Sequence, residues 1–242
     1  MFNRDFDISF FSSTRSGLRI FILLFSMLGL QGCTNVEGEL FMLNAIWFSD
    51  DGEKYSGYLE TAEEVATEKG ASFDTPILTT MDDQAFSPDL FFVVNYPTFQ
   101  TLVNVISDFS FIRVLSLRVS GASDTLWILC DADKEFEYSS EGNVSVIMMA
   151  YLNEGVSVED FKTGYVAEQI DTASDFDGQL SSALYLPKQN WEGRLDADLV
   201  YTMNFDSVAD YESFAAEMNA QINVDDFGRV EFTLAENANL SF

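Results

Sequence analysis

Two shortages define which residues could carry chemistry. The chain has no histidine and only two cysteines, Cys33 and Cys130, among 242 residues. Without imidazole there is no histidine base, no histidine-containing catalytic triad, no imidazole zinc site and no histidine-ligated haem. Two distant cysteines form neither an all-thiolate metal site nor a Cys-x-x-Cys redox pair. Cys130 ends the apolar run that begins at Leu126, which favours a buried, inert thiol over a nucleophile. The adjacent acids Asp50-Asp51, Asp82-Asp83 and Asp225-Asp226 stand in turns, where neighbouring side chains diverge. No twelve-residue calcium loop, Gly-rich phosphate loop or Gly-x-Ser-x-Gly turn is present. No catalytic residue, metal ligand or cofactor site is therefore assigned.

What remains is a set of polar groups inside apolar runs, where burial costs energy unless their hydrogen bonds are met. Asn44, Asn95 and Asn204 are amides in strand-like segments, and Tyr151, Tyr185 and Tyr201 lie in others. Asn95 and Asn204 each stand just before a helix, so closing a strand-to-helix turn competes with ligand contact. Asn44 has no such explanation. Arg113 and Arg118 are the cations between Lys69 and Lys134. Each could pair with a carboxylate of a facing unit or hold an anion through its planar fork. Trp191 sits between Pro187 and Gly193 in what reads as a loop, where it could stack on a flat ligand, whereas Trp47 and Trp127 read as core. These residues are the candidate pocket lining.

Charge narrows the partners. Lys plus Arg number 12 and Asp plus Glu 40, a net charge of -28. Residues 1–32 hold Arg4, Arg15 and Arg19 against Asp5 and Asp7, leaving 9 basic and 38 acidic residues beyond them. Such a surface repels nucleic acid and anionic headgroups. It serves solubility in a salty medium, or a basic partner.

The elements that must position these groups begin after a leader. Arg15 and Arg19 precede the apolar run 20–30, which is too short for an ordinary membrane span and ends in Leu30-Gln-Gly-Cys33. This ending resembles a bacterial lipobox, in which the cysteine after the cut receives lipid. The resemblance implies removal of residues 1–32, lipidation of Cys33 and a tether over 33–40. Gln31 departs from the usual small or branched residue. Similarity to proteobacterial lipoproteins, with Thr34 rather than Asp after the cysteine, implies a lipid-anchored place in the cell envelope, at the outer membrane.

Beyond the tether, strand and helix periods alternate. Strands are predicted at 41–48, 72–80, 90–96 and 124–130, with helices whose stripes are Tyr55, Tyr58 or Leu59, Ala62 and Val65 or Ala66, then Phe99, Leu102, Val103 and Ile106. An acidic, serine-rich linker follows over 131–142. The order then recurs over 143–236, with strands at 144–152, 179–186, 198–205 and 229–234. Ser157 with Asp160, and Ser207 with Asp210, mark the two helix starts. Recurrence at an interval of about 103–109 positions reads as an internal duplication of a βαββαβ unit. One such unit leaves a sheet face bare, so two should cover each other, giving an α+β fold of tandem ferredoxin-like units packed sheet to sheet.

The segment Lys54 to Gly70 followed by Ala-Ser-Phe73, then Asn95-Tyr-Pro-Thr-Phe99 and Arg118-Val-Ser-Gly-Ala-Ser-Asp124, resembles the DUF1330-like group of dimeric α+β barrels. The resemblance covers 41–130, and 143–236 is similar to the wider superfamily in outline. It implies an intrachain version of the dimeric barrel, monomeric, with internal pseudo-twofold symmetry. Where single-unit relatives carry His-Arg before the last turn, this chain has Leu117-Arg118. The expected function is envelope-anchored binding of a small molecule or protein partner. The alternatives are a cofactor-free, monooxygenase-like enzyme with an Asn/Arg/Tyr-lined pocket, or a structural envelope protein.

Overall fold

The computed structural model describes residues 38–81 and 86–238. The leader, Cys33 and most of the tether lie outside the described residues. The first half runs β1 (Leu40–Phe48), α1 (Glu53–Glu68), β2 (Ser72–Phe73), β3 (Leu78–Thr80), β4 (Leu90–Tyr96), α2 (Phe99–Ile106), α3 (Phe109–Gly121) and β5 (Ala122–Asp133). The second runs β6 (Val144–Leu152), α4 (Val158–Phe161), a π-helical turn (Lys162–Val166), α5 (Ala167–Ser174), β7 (Gly178–Leu180), β8 (Leu184–Glu192), β9 (Leu199–Phe205), α6 (Val208–Gln221) and β10 (Gly228–Asn237).

The two halves join as well as face each other. β1 pairs with β4 and β5, β5 with β8, β8 with β9, β9 with β6, β6 with β10, β10 with β3, and β3 with β4. All these pairings are antiparallel and close a ring, so the last strand of each half is continued by the broken second strand of the other. Closure leaves no strand edge in the ring to recruit foreign strands. The fold is thus the expected α+β class, tandem ferredoxin-like units forming an intrachain barrel, but the sheets meet at both edges instead of only stacking.

Strand alternation sorts the apolar side chains into an inside and an outside. Phe41, Leu43 and Ala45 of β1 face inward, and Leu40, Met42 and Ile46 lie under the first half's helices. Inside the barrel, Phe91, Val93, Ile128, Ile147, Met149, Val200 and Ala235 are all 0–1% exposed. The interior is therefore filled by buried side chains, each large one contributing about 1.5–3 kcal/mol by burial. The outer face of the second half holds a separate core around Phe161, Tyr201, Met203, Phe205 and Phe214.

The duplication is visible in matching irregularities. The stretches read as single strands, 72–80 and 179–186, are each broken. At the breaks, Thr75 Oγ1 accepts from Val93 N at 2.9 Å, and Ser182 Oγ accepts from Thr202 N at 2.9 Å. Just before them, Asp74 N donates to Val93 O and Ser181 N to Thr202 O, both at 2.8 Å. A hydroxyl in place of a strand partner satisfies the backbone group and lets the chain turn between two neighbours.

Other departures have local causes. α3 is not apparent in the sequence because its buried face is Phe111, Val114, Arg118 and Gly121, an apolar stripe interrupted by a cation and a glycine. Asp108 starts it by accepting from Ser110 N at 2.8 Å. Gly121 is required where α3 meets α1, because a Cβ there would stand 2.5 Å from Tyr55 N. The segment expected as a loop around Pro187 and Trp191 is instead part of β8. Pro187 lies opposite Cys130 beside a register shift, the kind of bulge that tolerates a missing N–H. The Ser157 and Asp160 capping box forms as expected, and Ser207 Oγ accepts from Asp210 N at 3.3 Å.

Candidate functional site

The residues proposed as one pocket lining occupy several separate places. Asn95 and Asn204 face into the barrel, each near its end. They do not close the strand-to-helix turns, whose caps are Thr98 and Ser207. Tyr185 also faces inward, as does half-buried Tyr151, whose ring lies 4.0 Å below Arg229 and whose hydroxyl donates to Glu231 at 3.2 Å. Asn44 points outward, toward the first half's helices, and donates to Met42 O at 2.8 Å. Tyr201 lies on the outer side of the second sheet, donating to Gln169 Oε1 at 2.5 Å, and burial pushes its hydroxyl well above the ordinary tyrosine range. Arg113 is exposed on α3. A pocket shared by Asn44, an arginine and the tyrosines is therefore not formed.

One cluster sits between α1, α3 and the sheet. Arg118 is buried and pairs with Glu192 at 2.6 Å, a carboxylate carried by β8 of the other half. Its guanidinium lies 5.2 Å from the centre of the Trp127 ring. Trp191 stands edge-on to Trp127 at 5.7 Å, so this tryptophan, expected in an open loop, is a core contact between the halves. Tyr55 and Tyr58 line the same place, and burial raises both hydroxyls. The short Arg118–Glu192 contact, with Trp127 beside the guanidinium, fixes β8 against the first unit, although the buried Glu192 Oε2 receives no well-directed hydrogen bond.

The second cluster closes one end of the barrel. Asn95 lies across from Phe41 in the β1–β4 pairing and donates through Nδ2 to Glu39 Oε1 at 3.2 Å. Its Oδ1 is buried and receives no hydrogen bond. Lys134 Nζ lies 2.7 Å from Glu39 Oε2 and 4.8 Å from the centre of the Phe41 ring. The bonds from Lys134 and Asn95 hold the Glu39 carboxyl below its usual range. Tyr185 donates to Asp74 Oδ2 at 2.5 Å, and its ring centre is 5.9 Å from that of Phe41. Tyr138, from the segment between β5 and β6, packs on the interior residues at this end, and burial and nearby Asp74 raise its hydroxyl. The mouth thus presents carboxylates, an unsatisfied amide oxygen and aromatic rings above an apolar core.

Its members Glu39, Asp74, Lys134 and Tyr138 were missed from the sequence. Lys134 and Glu39 lie just beyond strand ends, where charge reads as ordinary solvation. Nothing local announces that Asp74 meets Tyr185, since 111 positions separate them.

Other ionisable groups are structural. Burial pushes the Cys130 thiol up to about 12, which leaves it protonated and inert at neutral pH. Buried Lys162 binds Asp133 and Glu135 at 2.6 Å and Glu159 at 3.2 Å, tying the π-helical turn to the end of β5. Among the described residues, no group of three or more cysteines or carboxylates is arranged to hold a metal ion, and no helix is long and apolar enough to cross a membrane.

A closed antiparallel barrel with helices outside, made by two similar halves, is an architecture of the dimeric α+β barrel type. Solved structures share it. A chlorite dismutase variant from Candidatus Nitrospira defluvii superposes with a TM-score of 0.55 at 12% identity, covering 85% of this chain and 93% of that one. A protein assigned as a monooxygenase from Lactobacillus acidophilus gives 0.52 at 11% identity, covering 82% and 93%. At such identities the likeness is one of fold. No protein-family model matches the chain, and no curated protein matches it in sequence. A haem held by histidine does not fit this chain, which has none.

Proposed function

We propose that the chain is a non-catalytic binding protein of the bacterial envelope, cut before Cys33, lipidated there and displayed at the outer membrane. Kinship of residues 41–130 with the DUF1330-like group belongs to the same reading. The observation that carries the binding assignment is the barrel mouth, where the buried Asn95 oxygen lacks a donor beside Asp74, Glu39 and the rings of Phe41 and Tyr185. A buried polar atom without a partner costs stability and is retained where a ligand or water completes it. The packed interior below leaves the rim as the place for contact, and the acidic exterior suits display in a salty medium.

The enzyme alternative needs a reaction chamber lined by an amide, an arginine and tyrosines. Arg118 is engaged with Glu192, and Asn44 with Met42 O, which favours binding over chemistry. Intact mass of the protein extracted from its native membrane tests the reading. Under denaturing conditions the mass should be that of residues 33–242 plus acyl lipid, and under native conditions it should be larger by a retained small molecule. The uncut, unmodified mass would refute the anchor.

A further inference from the structure

We propose that the barrel mouth at Asn95 binds the ammonium group of a small, slender alkylamine. The inference deepens the binding-protein reading and rests on it.

The duplication shows what is missing. In the second half, the equivalent Asn204 Oδ1 receives the Ser145 hydroxyl at 2.7 Å, Ser145 being its direct cross-strand partner. On β1 the partner of Asn95 is Phe41, which has no proton to give, and Ser72, its partner on β2, makes no hydrogen bond to the Asn95 oxygen. Asn95 Nδ2 is taken by Glu39, so the free oxygen asks for a donor from outside the chain. Asn95 is 9% exposed and its Oδ1 is buried, so a donor must be narrow and must part the rim side chains to reach it.

Charge says what kind of donor fits. Glu39 is paired with Lys134, whereas Asp74, which faces the Tyr185 and Tyr138 hydroxyls and feels Lys134 from farther off, has no lysine or arginine within ion-pair distance among the described residues. A cationic N–H donor would complete the Asn95 oxygen and compensate Asp74, and a charge-assisted bond is about twice as strong as a neutral one. The rim already accommodates such a group, since the Lys134 ammonium lies against the Phe41 ring. An anion would meet two carboxylates and is disfavoured.

The test is titration calorimetry of the full chain in detergent, at fixed ionic strength, with n-butylammonium as the probe. Tetramethylammonium, which has charge but no N–H, and 1-butanol, which has a donor but no charge, are the controls. Butylammonium should bind one to one, and both controls roughly tenfold more weakly or worse. Asn95→Leu and, independently, Asp74→Asn should each weaken butylammonium by roughly tenfold or more while keeping a cooperative unfolding transition. Equal binding by wild type and both variants, or no butylammonium binding to the folded wild type, overturns the proposal; in the second case the oxygen serves a water only. A retained ligand in the native mass without butylammonium binding overturns the amine assignment alone. Absence of both overturns the binding reading with it.

Discussion

Arg118→Met and Glu192→Leu, made singly and together, probe how the two halves are held in register. The Arg118 side chain is 5% exposed and that of Glu192 26%, with a nitrogen–oxygen distance of 2.6 Å. For charges about 4 Å apart at an effective dielectric near 20, attraction is about 4 kcal/mol, and much of it offsets desolvation. Arg118→Met leaves a carboxylate that reaches some water, and also removes the contact with Trp127, so the expected loss is about 3 kcal/mol. Glu192→Leu strands a buried guanidinium that cannot deprotonate, so its loss should be the larger, about 3–5 kcal/mol. The double variant replaces both charges by apolar groups and should lie within about 1–2 kcal/mol of wild type. Urea unfolding followed by tryptophan fluorescence is the assay, since Trp127 and Trp191 flank the pair. Single losses below about 1 kcal/mol that simply add would match a solvent-exposed pair and refute this account.

Two glycines give opposite expectations for the same substitution. A Cβ at Gly57 in α1 would meet only Leu117 Cδ1, at 3.6 Å, so Gly57→Ala should stabilise by about 0.5–1 kcal/mol; Gly121→Ala, blocked by Tyr55 N at 2.5 Å, should destabilise by about 1–3 kcal/mol. Thermal melts of the two variants distinguish them by the sign of the shift. Lys162 supplies a pH dependence: burial opposes ionisation of Asp133, but the Lys162 bond and charge together with the bond from Glu135 N outweigh this and hold the carboxyl below its ordinary 3.8. A depressed carboxyl contributes stability above its unfolded value and loses it as pH falls through the folded one. The urea-midpoint gap between wild type and Lys162→Met should therefore be steady from about pH 5 to 8 and shrink below about pH 4; a constant gap down to about pH 2 would contradict the assignment.

Strands with one role along their whole length were legible. The spans 90–96 and 144–152 match β4 and β6 because continuous apolar runs are what a strand buried on both faces requires. The stripe Tyr55, Tyr58, Leu59, Val65 and Ala66 is the buried face of α1 for the same kind of reason. Elements that serve two neighbours were not legible. β8 pairs with β5 of the other half from Leu184 opposite Asp133 to Glu192 opposite Trp127, and also meets its own half where Tyr185 lies opposite Val200. Its composition shifts with its surroundings, so Pro187 and Gly193 read as loop boundaries. α3 was hidden by Arg118, whose charge looks solvent-facing until Glu192 arrives from another part of the chain. Of the candidate site, the sequence showed Asn95 and Tyr185 as unusual polar residues, while Asp74 and Glu39 became relevant only through long-range pairing.

Fusion of the two halves in one chain explains why the mouths can differ. In a symmetric dimer every substitution appears twice, so a residue that opens a site at one end opens its mate as well. Here the Ser145–Asn204 bond closes the second half's amide, while Phe41 leaves that of the first half open. The same freedom lets Tyr185, on the second half's broken strand, reach Asp74 in the first, whereas the backbone equivalent of Asp74 is Ser181, whose hydroxyl bonds Thr202 within its own half. Each difference removes a self-contained hydrogen bond on one side and keeps it on the other. The packed interior holds both ends in fixed geometry, so the second half's amide stays closed while the oxygen of the first half's amide stays free.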